Sequence, residues 1–212
     1  MTTERWAVVA SCVVFGLALG PSLAGQINNA VVGVSGQPTR SQWRLVSVLT
    51  AALFGVVGAR LHGWQLPGYL AMTGFLVVLS LIDIDTKTLP RRVIYAMGAA
   101  GVVLLAPAAL LTHQPRRIAT AALGALLLFA LMFLLHLFAR GALGFGDVRL
   151  AAPLGWFVGW QRLASITSAL FVSFVLSGLF SAALLISRKV DRRAKIPFGP
   201  FLAAGTLAVL LA

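Results

Sequence analysis

Apolar runs of roughly bilayer-spanning length recur along this chain. They cover about residues 7–34, 45–59, 66–82, 93–112, 118–139, 148–160, 164–187 and 196–212. A helix needs about 17–25 apolar residues to cross the hydrocarbon core, and most of the runs approach that length. Inside lipid every backbone polar group must find a partner within the protein, which leaves only helices and closed barrels. A barrel would show short alternating segments, and the sequence has none. The chain therefore reads as an all-α, polytopic membrane bundle of about eight segments. Composition agrees: 59% of residues are hydrophobic and only 10% charged, with mean hydropathy +0.95. A soluble domain is about a quarter charged.

The second and sixth runs are short, as half-buried or tilted members of a bundle would be. The first is long and ends in polar residues (Gln26, Asn28, Asn29), so it is expected to leave the hydrocarbon before residue 34. Arg5 stands beside Glu4, so no clear positive region precedes that run, and it does not read as a cleavable signal. Gly16/Gly20 and Gly155/Gly159 have the four-residue spacing that lets helices approach closely, and packing is their expected role. The longest polar stretch, 33–44, is too short to fold alone. Residues 1–212 thus read as one membrane domain with no separate soluble domain.

A net charge of +12 raises the question of nucleic acid, but the basic residues do not form a basic domain. They punctuate the connections. With the N-terminus outside, the inside loops are 35–44, 83–92, 140–149 and 188–195. These loops hold twelve of the 17 Lys and Arg residues, against five outside. The positive-inside rule then gives an N-out, C-out protein of the inner or plasma membrane with its basic loops in the cytoplasm. Trp6, Trp43, Trp64, Tyr69, Tyr95 and Trp160 fall near segment ends, as interfacial aromatics do. The expected partner of the basic and aromatic residues is the lipid bilayer, not nucleic acid.

Three of the five acidic residues sit where lipid makes charge expensive. Asp83 and Asp85 follow the run 66–82. Asp147 lies in Gly144-Phe145-Gly146-Asp147, just after the run 118–139. Carboxylates in such places are functional candidates. Two spans separate Asp83 from Asp147, so both lie at one membrane face whatever the orientation, and the charge bias makes that face cytoplasmic. Other chemistries find little support. Cys12 is the single cysteine, which excludes an internal disulfide or a thiolate zinc cluster, and it reads as a small buried hydrophobe. His62, His113 and His136 are scattered. His136 is nearest the aspartate face, but a lone histidine near a helix end reads as structural or interfacial. No metal or cofactor is called for.

The segments around the aspartates are specific. The first reads Asp83-Ile84-Asp85-Thr86-Lys87-Thr88-Leu89-Pro90 and the second Gly144-Phe145-Gly146-Asp147-Val148-Arg149-Leu150. A third, Ile196-Pro197-Phe198-Gly199-Pro200, opens the last run. Together these resemble the type IV prepilin peptidases, GxGD-type intramembrane aspartic proteases that process type IV pilins and the pseudopilins of type II secretion. Gly25 to Asn29 is a weaker match to a Gly-x-x-x-Asn element of that family. The resemblance covers about residues 14–212. It implies that Asp83 and Asp147 are the catalytic pair, and that the substrate is a membrane-anchored prepilin or pseudopilin precursor. It also implies a cut after a glycine, between a basic leader and an apolar helix.

Neighbouring residues keep more than one reading. The glycines Gly144 and Gly146 let the backbone bend or a substrate strand come close; the plainer alternative for Asp147 is a helix cap beside a flexible turn. Asp85 is a third carboxylate tuning the pair, the partner in place of Asp83, or a solvated turn residue beside Lys87. Arg149 either snorkels to the headgroups, tunes Asp147, or holds an acidic part of the substrate. Many members of the family carry two Cys-x-x-Cys pairs in a zinc-binding insertion after the first span and methylate the new N-terminus. Here that loop has no cysteine, so methyltransferase activity is expected to be missing or lodged in another protein. The competing class is a proton- or cation-coupled transporter, which would place carboxylates nearer mid-span and show repeated halves.

Overall fold

The computed structural model describes residues 3–31, 40–139, 143–187 and 196–212. Eight α-helices account for nearly all of these residues: α1 Thr3–Val31, α2 Arg40–Arg60, α3 Leu66–Thr86, α4 Arg91–Leu111, α5 Arg116–Phe138, α6 Phe145–Gln161, α7 Ser165–Ile186 and α8 Gly199–Leu211. A 3-10 turn, Gly63–Gln65, precedes α3. Among the described residues, α3 (with that turn), α4, α5 and α7 are long and apolar enough to cross a membrane. The protein is a multi-pass helical bundle. Residues 32–39, 140–142 and 188–195 lie outside the described residues; the last two hold six of the twelve basic residues expected inside. Gly25 to Asn29 falls in the last turns of α1, with side chains outside the described set.

Helix boundaries differ from the apolar runs in instructive places. α2 is 21 residues long, not a short segment, because its polar start at Arg40 is still helical. Arg and Gln are good helix formers and do not need an apolar face to continue a turn. The last helix begins at Gly199, three residues later than the apolar run, and Pro200 sits in its first turn. Proline is favoured there because its missing N–H would be unpartnered in any case. α3 runs on past its apolar stretch to Thr86, so Asp83 and Asp85 are helical and not in a loop. Lys87 closes α3 in the left-handed conformation at φ 53°, its N–H donating to the Asp83 carbonyl at 2.9 Å. Pro90 then bars any continuation.

In lipid, helix association gains little from the hydrophobic effect and relies on close packing. The two most extensive pairings, α5 with α6 and α1 with α2, are the two built on glycine. A β-carbon on Gly124 would run into the Gly155 carbonyl, and one on Gly159 would stand 2.9 Å from the Gly124 Cα. A β-carbon on Gly16 would stand 2.7 Å from the Ala51 Cα, and one on Gly20 would meet Ser47. Both expected pairs are packing glycines, and Gly124 completes the second. Cys12 is buried against Gly58, as a small hydrophobe.

The bundle has two distinct ends. At one, Arg60 at the end of α2 donates to the Leu211 carbonyl at the end of α8. There the Gln65 side-chain oxygen also accepts from Trp160 at 3.2 Å and from Arg117 and Gln161 at 3.4 Å each. Tyr69 donates to the Phe157 carbonyl at 2.8 Å. Tyr69 and Trp160 are buried, so they are internal ties and not interfacial anchors. Their polar atoms find protein partners, which lets aromatic residues near a helix end turn inward. Trp6, Trp64 and Tyr95 are exposed, as anchors are; the side chain of Trp43 lies outside the described set. At the other end, the last turn of α3 meets the first turn of α8, and the first turn of α6 packs on Leu89 in the turn after α3.

Glycine's role at the α5–α6 crossing gives a prediction with a control of opposite sign. Gly124→Val is expected to lose about 1–3 kcal/mol or more by overpacking. Gly178, whose added β-carbon meets nothing within 4 Å, sits in mid-α7. Gly178→Ala is expected to be neutral or to gain up to about 1 kcal/mol from helix propensity. Thermal unfolding of the two variants in detergent checks both signs.

Candidate active site

Among the described residues, the buried polar side chains are Thr50, Thr73, Ser173, Thr206, Asp83 and Asp147. The four hydroxyls each donate to the carbonyl one turn back in their own helix, at 2.7–2.8 Å. They need nothing further. That leaves two carboxylates, Asp83 at 5% exposure and Asp147 at 7%, as the buried groups whose presence packing does not explain. They lie close enough to feel each other's charge. The pair that span parity placed on one face is therefore brought together.

Asp83 occupies the last turn of α3, the negative end of that helix, where a carboxylate is disfavoured. Its compensation comes from another element. The Gly199 N–H, at the start of α8, donates to Asp83 Oδ2 at 3.1 Å. The carboxylate thus does for α8 what an N-cap does, since Phe198, the residue in cap position, makes no side-chain cap bond. This accounts for the glycine in the Pro-Phe-Gly-Pro sequence. A β-carbon at 199 would stand 2.7 Å from Asp83 Oδ2, so only glycine lets the carboxylate reach the N–H. The sequence offered no chemistry for this segment; its role is to supply a backbone donor, which side-chain reading does not register.

Asp147 sits at the third position of α6, after the N-cap Gly144. Its own N–H bonds the Gly144 carbonyl at 3.1 Å, and its carboxylate folds back on the Gly144 backbone. This is the returning half of a capping box. The cap reading of Asp147 is correct as local structure, and it is also what fixes the carboxylate. Gly146, between them, is required by packing: a β-carbon there would be 3.1 Å from the Leu89 side chain, in the turn after α3. Two helix N-termini, those of α6 and α8, thus converge on two buried carboxylates. The positive ends of helices favour negative charge, and this offsets part of the cost of burial.

Asp85 is exposed. Residues two apart on a helix do not face the same way, so it points away from Asp83. Arg149 lies over the Phe145 ring with its guanidinium carbon 4.5 Å from the centroid. Its surroundings are more definite than snorkelling alone requires. The other face of this region holds a residue that the sequence left as structural or interfacial. His136, near the end of α5, is 2.8 Å from the Leu143 carbonyl through Nδ1 and packs edge-on to Phe145 at 5.5 Å. His62 and His113 are exposed and lie near the ends of helices remote from Asp83.

A family model described as the type IV leader peptidase family matches residues 70–186, a range that includes both aspartates. The chain is similar to the prepilin leader peptidase/N-methyltransferase of Aeromonas salmonicida, with 32% identity over 173 residues. That match covers 80% of this chain and 58% of the relative. Proteins of the same name from Pseudomonas aeruginosa and Bacillus subtilis are 30% and 29% identical. These matches cover 80% and 77% of this chain, and 58% and 63% of the relatives. The chain therefore spans about three-fifths of the length of these curated relatives. No solved structure matches it.

Gly199→Ala is the sharpest test of the site's construction. It adds one methyl group, yet must displace the Asp83 carboxylate. The variant is expected to keep its thermal midpoint within a few degrees while any activity resting on Asp83 falls about 100-fold, the usual scale for a displacement of about 1 Å. Parallel melting and activity measurements separate displacement from unfolding.

Proposed function

The chain belongs to the type IV leader peptidase family, and we propose that it is an aspartic endopeptidase that removes the leader from type IV prepilin-like precursors. The observation that carries the reading is the pair Asp83 and Asp147, buried together where α6 and α8 begin. Two nearby carboxylates resist double ionisation, so the pair holds one proton between them and titrates as a unit. The ionised member takes a proton from water as the oxygen attacks the scissile carbonyl. The protonated member donates to the carbonyl oxygen, and then a proton passes to the leaving amine. Asp83 is held by the Gly199 N–H, and Asp147 folds back on Gly144 within its own first turn, so neither depends on substrate for its position.

The substrate in this reading is a membrane-anchored precursor with a basic leader and an apolar helix, cut after a glycine at the cytoplasmic boundary. The charge bias of the loops supports that side, and the location of both aspartates at one end of the bundle supports cutting at a boundary. That location argues against a coupled transporter, whose carboxylates would lie along a path across the membrane. Methyl transfer to the new N-terminus is assigned elsewhere, because a chain with Cys12 as its single cysteine cannot build the paired Cys-x-x-Cys site.

Co-expression with a candidate prepilin, followed by the size and mass of the product, tests these statements. Asp83→Asn and Asp147→Asn are each expected to lower processing by at least about 10³-fold, since each removes a proton donor or acceptor. Asp85→Asn is expected to stay within about three-fold of the parent, as an exposed charge tunes a buried pair only weakly. Processing that survives both single substitutions in the pair sinks the assignment. The mature product should carry a free, unmethylated N-terminus when this chain is the only family member present.

A further inference from the structure

We propose that His136 is a positioning residue for Asp147, acting through the peptide group that joins Leu143 to Gly144. The proposal rests on the peptidase reading for its functional consequence, but its structural content stands apart from it. The carbonyl of that peptide belongs to Leu143 and lies 2.8 Å from His136 Nδ1. The N–H of the same peptide belongs to Gly144, the residue on which the Asp147 carboxylate folds back. A carbonyl oxygen can only accept, so Nδ1 carries the proton and the histidine is the donor. One rigid, planar unit is thus held at its carbonyl by His136, while its N–H belongs to the residue against which the Asp147 carboxylate lies.

This arrangement has a mechanical and an electronic consequence. Fixing the carbonyl direction fixes the N–H direction, because the two are locked in one plane. Without the histidine, Gly144 has the freedom to rotate its peptide away from the carboxylate, as glycine does readily. Donation to the carbonyl also polarises the peptide and strengthens its N–H as a donor, as linked hydrogen bonds do. The support is needed at this point. The contact from Gly144 to Asp147 closes over three residues of one turn, whereas Asp83 receives the Gly199 N–H at 3.1 Å from a separate helix.

Phe145 holds the assembly in register. Its ring has the His136 ring against it at 5.5 Å and the Arg149 guanidinium against it at 4.5 Å. The side chain that opens α6 is therefore gripped by α5 on one side and by its own next turn on the other. An imidazole meets both demands together: an aromatic edge for Phe145 and a donor in the δ position for Leu143. Among the described residues the histidine has no hydrogen bond or ion pair with either aspartate, so its influence passes through the peptide.

Two variants of similar polarity separate this role from simple packing. Asparagine places an amide nitrogen at the δ position and preserves the bond to Leu143. Glutamine places it one atom further out and loses that geometry. With a membrane-anchored precursor, His136→Gln is expected to lower kcat about ten-fold or more with KM within two-fold, while His136→Asn retains kcat within about three-fold. His136→Phe, which keeps the ring but not the donor, should follow glutamine. Equal kcat in the asparagine and glutamine variants, or a parental kcat in the phenylalanine variant, overturns the proposal. A readout independent of catalysis comes from the Gly144 amide resonance of labelled protein in micelles. It should shift upfield and exchange faster in His136→Gln but not in His136→Asn, and an unmoved Gly144 resonance in both overturns the proposal. Should the parent protein cleave no precursor, the peptidase reading fails, and the resonance still decides the role of His136.

Discussion

Two carboxylates kept nearly dry inside a helical bundle are the constraint on which the rest of this structure turns. An isolated ionised carboxylate in a low-dielectric interior is prohibitively costly, so each must share a proton, find donors, or both. Here Asp83 takes the backbone N–H that opens α8, and Asp147 folds back on the residue that caps α6. α6 and α8 must therefore begin at the same depth, beside the last turn of α3. This fixes where α8 starts and why position 199 is glycine. The aspartates in turn satisfy helix termini that would otherwise be left open inside the bundle. Site and scaffold complete each other's hydrogen bonding.

Such a site needs a firm frame, and lipid supplies little help in building one. The frame comes instead from two helix pairs that approach until backbone meets backbone, α1 on α2 and α5 on α6. The second pair matters most for the site, because α6 carries Asp147 and α5 carries His136. The close crossing at Gly124, Gly155 and Gly159 sets the distance between these helices. His136, Phe145 and Arg149 then fix the end of α6 where the carboxylate lies. At the opposite end, Gln65 gathers three donors and Arg60 ties α2 to α8, so both ends of the bundle are closed by polar contacts between helices.

Much of this was legible in the residues themselves. Eight apolar runs correspond to eight helices among the described residues, because the need to satisfy backbone groups in lipid leaves few other choices. Glycine pairs four residues apart marked the close crossings. Asp83 and Asp147 stood out because charge is rare in such a chain. What could not be read depended on groups without a side-chain signature. The donor to Asp83 is a backbone N–H from a segment 116 residues away. His136 looked incidental because its partner, the Leu143 carbonyl, is also backbone. Tyr69 and Trp160 looked like lipid anchors, yet turn inward because hydrogen-bond acceptors wait for them there.

The sequence by itself determined that this chain forms a helical membrane bundle, that two carboxylates share one of its faces, and that motif spacing sets them in a known family of peptidases. Hydropathy and parity suffice for that, since both are counted along the chain. Only the tertiary structure decided that Asp85 turns away while Asp83 turns in. It alone brought Gly199 to Asp83 and joined His136 to Asp147 through a peptide plane. The reason is physical: which face a residue presents, and which distant backbone group meets it, follow from how helices cross, and crossing geometry is a property of the assembled bundle.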